Sequence, residues 1–234
     1  MKKLRTILCA VSALILASMT TSPLIADNSN FAGPYVGFQI AAVGVELDGD
    51  VTGDTVAGTD DVNETTTGSV GKTAIIGGLE LGYAIPMGTG FVLDIGAGYV
   101  AGGAKIASNN TDTQATADVI FEVEDLYSGY IAPGFAISDT SSVYAKLGFT
   151  HAQITVQGDV SKPDDMEGTT YAIGTRTVLE SGLFIRSEAG ITEFDSLAAS
   201  GLAQGGTGKT ISTGTRVNAD PTVAYGSISI GMRF

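Results

Sequence analysis

The chain has 234 residues and is strongly acidic, with 25 Asp and Glu against 12 Lys and Arg and a formal net charge of −13. This balance excludes nucleic acid as an expected partner, because phosphate binding needs clustered cations. The single cysteine, Cys9, excludes a framework of disulfide bonds.

The first 26 residues have the pattern of a secretory signal peptide. A basic start precedes an apolar run over residues 6–19, and the small residue Ala26 stands at a suitable cleavage point. A transmembrane anchor is the alternative, but the run is shorter than the roughly 20 residues that a spanning helix needs. We expect residues 1–26 to be removed, which leaves one domain, residues 27–234. Removal takes away Cys9 and three cations, and leaves nine cations against 25 carboxylates, or −16.

The remaining residues show alternation with period two, which is typical of strands that have one apolar face. We find no run of apolar residues long enough for a membrane helix and no sustained helical periodicity. The pattern predicts about eight strands, over residues 35–47, 74–85, 91–101, 122–137, 143–156, 171–179, 183–194 and 224–234. Only the fourth has no clear face, because Pro133 cannot donate to a strand ladder.

The predicted connections alternate between short and long. Three short turns, around residues 86–90, 138–142 and 180–182, separate the strands at one end. Four long connections, which are polar or rich in Gly and Ala, occupy residues 48–72, 102–118, 157–169 and 195–220. This layout is typical of an antiparallel up-and-down transmembrane β-barrel, so we predict an all-β fold with acidic loops at one end.

The polar face of the predicted strands is crowded with glycine, whereas the other face carries Phe, Leu, Ile and Tyr. A narrow barrel leaves little interior space, so small residues with a few long charged ones suit the inside. We therefore expect a neutral ion-pair network of three carboxylates and three cations in the interior, formed by Glu80, Asp94, Lys146, Arg176, Arg186 and Glu188. The alternative is a soluble sandwich in which the same side chains face solvent.

Four stretches carry a family resemblance: FAGPYVGFQIA, GGLELGYAI, YAKLGFTHAQI and the terminal GMRF. With them, residues 31–234 resemble the small outer-membrane β-barrel proteins of Gram-negative bacteria, the OmpA/OmpX-like or opacity-type porin family. The chain departs from that family's pattern in having no tryptophan, so Tyr and Phe must supply any aromatic girdle. The resemblance implies outer-membrane lipid and the barrel-assembly machinery as partners. It also implies that alternate apolar residues ending in an aromatic form the assembly signal, here Ile228, Ile230, Met232 and Phe234.

Three stretches could suggest chemistry, and none fits its motif. The sole histidine, His151, has no neighbouring serine on its face, so we expect no catalytic residue. Asp48, Asp50 and Asp54 suggest a calcium loop, but they lack the spacing of an EF-hand, and a solvated acidic loop is expected instead. Residues 201–210, GLAQGGTGKT, lack the first glycine of a phosphate loop. We therefore expect no metal and no cofactor.

The expected function is that of a structural or surface outer-membrane barrel, acting in envelope integrity, adhesion or surface interaction. We expect a monomer whose acidic loops can meet an extracellular partner. The leading alternative is a narrow passive channel for small solutes. A soluble secreted β-barrel that binds a small ligand is the third reading.

Overall fold

A computed structural model describes residues 27–53, 64–101, 104–108, 119–157, 165–200 and 216–234. The expected signal peptide, residues 1–26, lies outside these ranges. No helix in the described part of the chain is long and apolar enough to cross a membrane.

Strands occupy almost all of the described chain, preceded by a 3₁₀ helix at Asn28–Phe31. Eight long strands form the wall: β1 (Gly33–Gly53), β2 (Glu64–Met87), β3 (Phe91–Ala101), β5 (Val119–Ala136), β6 (Ser141–Gln157), β7 (Met166–Val178), β8 (Leu183–Phe194) and β10 (Arg216–Arg233). Two short strands, β4 (Ala104–Ser108) and β9 (Leu197–Ser200), pair with β5 and β10 respectively. The prediction of β-strands from alternation with period two is therefore confirmed.

The long strands close into a barrel. Each pairs antiparallel with the next, and β10 pairs with β1 from Tyr35↔Arg233 to Thr52↔Arg216. This confirms the predicted all-β, up-and-down fold of eight strands. We call the end with the short connections the turn end and the opposite one the loop end.

The first hairpin is longer than the sequence pattern predicts. β1 and β2 remain paired as far as Gly53↔Glu64, although the apolar alternation ends near residue 47. Backbone hydrogen bonds continue the ladder through a segment rich in threonine, a residue favoured in strands. The prediction that Asp48 and Asp50 lie in an acidic loop is therefore wrong, because both belong to β1. Asp54 lies outside the described residues.

Strand β5 contains two irregularities that explain why its face could not be read from the sequence. Asp125 is an extra residue in the pairing with β6, and its φ of 48° marks a β-bulge. Beyond it, Tyr130 and Ala132 are buried inside the barrel, and Pro133 faces outward. Pro133 lies in a gap of the ladder between β5 and β6, as its missing N–H requires.

Large apolar side chains cover the outside of the barrel. Exposed fractions reach 81% at Ile75 and 62% at Leu81. Aromatic side chains lie near both edges of this apolar wall, with Phe91 against Phe135 near the turn end and Tyr99 against Tyr127 towards the loop end. Such a wall with aromatic borders is typical of a barrel surrounded by lipid.

Candidate functional site

The interior of the barrel is filled in three layers. The layer at the turn end is apolar and consists of Phe31, Tyr35, Ala84, Val92, Ala136, Val178 and Phe184. Phe31 comes from the segment before β1, and it and Phe184 are fully buried. Tyr35 and Phe184 meet edge to face, with ring centroids 5.6 Å apart. Apolar side chains thus block the lumen at this end.

The second layer, which we call the charged layer, brings together the six charged side chains named from the sequence. Arg186 bridges two carboxylates, with Nη1 2.8 Å from Glu80 Oε2 and Nη2 3.1 Å from Asp94 Oδ2. Arg176 Nη1 donates to Asp94 Oδ1 at 3.1 Å. All four of these side chains are at most 5% exposed. Removal of Arg186 would take away the ion-pair partner of Glu80, and removal of Asp94 would take away that of Arg176.

The remaining pair of the charged layer, Lys146 and Glu188, is surrounded by tyrosines. Lys146 Nζ lies 2.8 Å from Glu188 Oε1 and 4.2 Å from the centre of the Tyr130 ring. The hydroxyl groups of Tyr144 and Tyr225 also donate to Glu188, at 2.8 and 2.7 Å. Glu188 therefore has three donors, whereas Lys146 supplies only one of them.

Aromatic rings also cover the buried guanidinium groups. The Cζ atom of Arg176 lies 4.7 Å from the centre of the Tyr35 ring and 4.8 Å from that of Phe184. Arg176 Nε and Nη2 have no hydrogen-bond partner among the described residues. Cation–π contact with the two rings compensates in part for these missing bonds.

Glycines on the polar face provide space for the interior aromatics. Each of five rings lies directly across a strand ladder from a glycine, in the pairs Tyr35↔Gly82, Tyr130↔Gly96, Tyr144↔Gly174, Tyr225↔Gly190 and Phe184↔Gly231. A Cβ at Gly82 would lie 2.5 Å from the Tyr35 hydroxyl oxygen, and one at Gly96 would lie 2.5 Å from that of Tyr130. The glycine-rich face is therefore filled by rings from neighbouring strands.

The third layer lies towards the loop end and is again apolar. It contains Ala41, Val43, Val45, Val123, Ala152, Met166, Phe194 and Val223. Between it and the charged layer is a cavity of about 80 Å³. Three threonines line the cavity and form a chain of hydrogen bonds, in which the Thr170 hydroxyl oxygen lies 2.7 Å from those of both Thr150 and Thr192. A space of this size holds only a few water molecules.

Sequence reasoning missed the tyrosines of the charged layer and the contribution of Phe31. The signal for the tyrosines was present, since Tyr144 and Tyr225 stand on the small-residue face of their strands. The predicted assembly residues lie on the outer wall, where Ile228, Ile230, Met232 and Phe234 are 60, 61, 43 and 73% exposed.

His151 lies on the outer wall, directly across the ladder from Tyr127. Its Nε2 atom is 3.7 Å from Asp165 Oδ2, and both side chains are more than one third exposed. Within the described ranges, no three His, Cys, Asp or Glu side chains are grouped so as to hold a metal ion. Residues 201–210 lie outside those ranges.

Carboxylates form an acidic rim on the outer wall near the loop end. The exposed members of this rim are Glu46, Asp48, Glu167, Glu193 and Asp220. The cations with described side chains lie elsewhere: Lys146, Arg176 and Arg186 are inside the barrel, and Arg233 is at the turn end. The described part of the rim is therefore acidic.

A family model, "Outer membrane protein beta-barrel domain", matches residues 6–220. The chain therefore belongs to this family, and the protein is located in the outer membrane of a Gram-negative envelope. In barrels of this type, short turns face the periplasm and longer loops face outward. The turn end is accordingly periplasmic.

Several solved structures are similar to this chain at low sequence identity. OprG from Pseudomonas aeruginosa is 14% identical, with a TM-score of 0.49 over 87% of this chain and 97% of that one. Ail from Yersinia pestis, in complex with a heparin analogue, is 12% identical, with a TM-score of 0.37 over 82% and 98%. Neisserial surface protein A is 8% identical, with a TM-score of 0.39 over 84% and 97%. No curated protein matches the sequence significantly.

Proposed function

We propose that this member of the outer membrane β-barrel family is a closed, non-catalytic barrel that acts through its outer surface, in envelope integrity, adhesion or surface interaction. The observation that carries the proposal is the filled interior, with an apolar layer on either side of the charged layer. A barrel of eight strands has an interior just wide enough for its side chains to fill.

The charged layer supports a closed lumen. Its three carboxylates and three cations balance. Arg186 joins β8 to β2 and β3 across the barrel through Glu80 and Asp94, and Lys146 joins β6 to β8 through Glu188. Passage of an ion would require these buried ion pairs to separate. Separation costs free energy because it leaves buried charges uncompensated. A static barrier to small solutes is therefore expected.

The acidic rim indicates how the outer surface can interact. Its carboxylates lie beyond the apolar wall, where side chains reach past the lipid. Electrostatic complementarity favours a cationic partner at such a surface. We propose that the barrel is monomeric, with lipid around its apolar wall and an extracellular partner at the rim. No catalytic role is proposed, since His151 has Asp165 beside it but no nucleophile among its described contacts.

Proteoliposomes test whether the lumen is closed. The protein is refolded into vesicles, folding is checked by the gel shift between unboiled and boiled samples, and potassium release is compared with that of empty vesicles and of vesicles that contain a general porin. We expect release at the rate of empty vesicles. Release that is proportional to salt and to the amount of folded barrel would instead establish the narrow-channel alternative.

The rim is tested separately with the same vesicles. We expect the wild-type barrel to adhere to a polylysine-coated surface and a variant with Glu46→Gln, Asp48→Asn, Glu193→Gln and Asp220→Asn to adhere less. Equal adhesion of the two would contradict a role for the rim. Substitution of outward-facing rim residues leaves the interior contacts unchanged.

A further inference from the structure

The segment before β1, which we call the strap (residues 27–32), crosses the turn end of the barrel. It reaches the connection between β5 and β6, which lies half-way round the closed sheet from β1. On the way, Asn28 Nδ2 donates to the carbonyl oxygens of Gly88 and Phe91, at 3.0 and 2.7 Å. The strap thus binds the turn end of the barrel at several points and spans its opening.

Side chains fix the strap in this position. Phe31 is fully buried in the apolar layer at the turn end. Arg233 Nη1 lies 3.4 Å from the carbonyl oxygen of Ser29 and 3.3 Å from that of Ala32. The strap therefore covers the turn end, and its buried residues Asn28 and Phe31 anchor it there.

The far end of the strap depends on Asp139. The backbone N–H of Asp27 donates to Asp139 Oδ1 at 2.9 Å, and Asn30 Nδ2 donates to the Asp139 carbonyl oxygen at 2.9 Å. The carboxylate of Asp27 accepts from the backbone N–H of Ser29 at 2.9 Å. That backbone hydrogen bond lowers the pKa of the Asp27 carboxyl group. The carboxylate of Asp139 thus contacts the backbone nitrogen of Asp27, where a positive charge would be favoured.

We propose that processing after Ala26 places an α-ammonium group at Asp27 that forms an ion pair with Asp139, so that removal of the leader completes the closure of the periplasmic mouth. Hydrolysis adds water across the Ala26–Asp27 peptide bond, which gives a carboxylate on Ala26 and an amine on Asp27 that takes up a proton. An unprocessed chain has a neutral amide at the same position. Hydrogen bonds from charged donors are about twice as strong as neutral ones.

Two forms of the chain that begins at Asp27 provide the test, one with a free amine and one with an acetylated amine. Each is prepared with and without Asp139→Asn, which keeps an oxygen acceptor but removes its charge. Hydrogen exchange of residues 27–32 is measured on the refolded barrels in detergent. We expect Asp139→Asn to speed exchange about two- to fivefold in the free-amine form, as for an exposed ion pair, and less in the acetylated form.

An equal effect of Asp139→Asn in both forms would mean that the contact is a neutral hydrogen bond and would overturn the ion pair. The gel shift of all four samples establishes that each barrel is folded. The intact mass of protein exported by cells must also fit a chain that begins at Asp27, and any other first residue would overturn the assigned site. The inference is independent of the proposed function, because the strap can dock whether or not the lumen conducts.

Discussion

The carboxylate of Glu80 lies against Gly37, directly across the ladder between β1 and β2. A Cβ at Gly37 would be 2.8 Å from Glu80 Oε1 and 3.3 Å from the tip of the Phe184 ring. Glu80 cannot move away freely, because its other oxygen is held by Arg186 at 2.8 Å. The absence of a side chain at Gly37 is therefore a condition for the central ion pair.

Substitution of Gly37 by alanine should destabilise the barrel by about 1 to 3 kcal/mol, the usual cost of overpacking a filled interior. The matched control is Gly129→Ala, because a Cβ at Gly129 faces outward with no atom within 4 Å. We expect the control to change stability by no more than about 0.5 kcal/mol. Urea unfolding in lipid vesicles, with the folded fraction read from the gel shift, measures both. Equal effects of the two substitutions would show that Gly37 is not needed for space.

Arg186 and Lys146 should differ in importance, because Arg186 binds two carboxylates and Lys146 binds one. Arg186→Met leaves both Glu80 and Asp94 without their shared partner, so we expect a loss of about 3 to 5 kcal/mol. Lys146→Met leaves Glu188 with hydrogen bonds from Tyr144 and Tyr225. We expect this variant to lose about 1 to 3 kcal/mol.

The rank order of these two variants is the measured quantity, again by urea unfolding in vesicles. The substitution Ser187→Ala, on the outer wall next to Arg186 in sequence, serves as the control and should have little effect. A Lys146 variant less stable than the Arg186 variant would contradict the assignment of Arg186 as the central bridge.

The fold was predictable because two faces of each strand differ in chemistry. Phe38 and Leu81 face outward and Glu80 faces inward, as alternation predicts. The ends of β1 and β2 were not predictable, because backbone pairing continues where the apolar signal stops. The bulge at Asp125 shifts the alternation in β5 by one residue, which no count of apolar positions reveals.

The charged layer was predictable only as a set of residues. Inward-facing Arg, Lys, Asp and Glu can be identified from strand parity, but which of them pair depends on the stagger of strands around the barrel. Arg176 and Asp94, for example, are joined across strands that do not neighbour each other. Phe31 gave no signal, since it precedes the first strand and reaches the interior through the path of the strap.

The apolar wall should tolerate charge according to depth. Leu81 lies in the middle of the outward face of β2. Thr73 lies on the loop-end side of Ile75, outside the run of large exposed apolar side chains on this strand. We expect Leu81→Arg to cost about 2 to 4 kcal/mol and Thr73→Arg about 0 to 1 kcal/mol in a bilayer. Unfolding in vesicles measures the difference, and similar costs at both positions would place Leu81 outside the hydrocarbon region.

The terminal residue should matter more for assembly than for stability. Phe234 is anchored by its backbone, with its N–H 3.0 Å from the Pro34 carbonyl oxygen. Its side chain is 73% exposed on the outer wall and contributes little packing within the barrel. We therefore predict that Phe234→Ala strongly lowers the amount of assembled barrel in cells, where the assembly machinery must recognise the strand. Refolding of the purified variant into detergent should be nearly unchanged.

Phe234→Tyr tests whether assembly needs an aromatic ring at the terminus or phenylalanine itself. A machinery that reads a terminal aromatic should accept the tyrosine in part, and assembly should lie between those of wild type and Phe234→Ala. The control is Phe38→Ala, which removes an exposed outward ring of β1 and leaves all four residues of the predicted assembly signal unchanged. If Phe234→Ala lowers assembly in cells and refolding in detergent equally, the ring acts by packing or anchoring. Unchanged assembly in cells would show that the assembly machinery does not read the terminal residue.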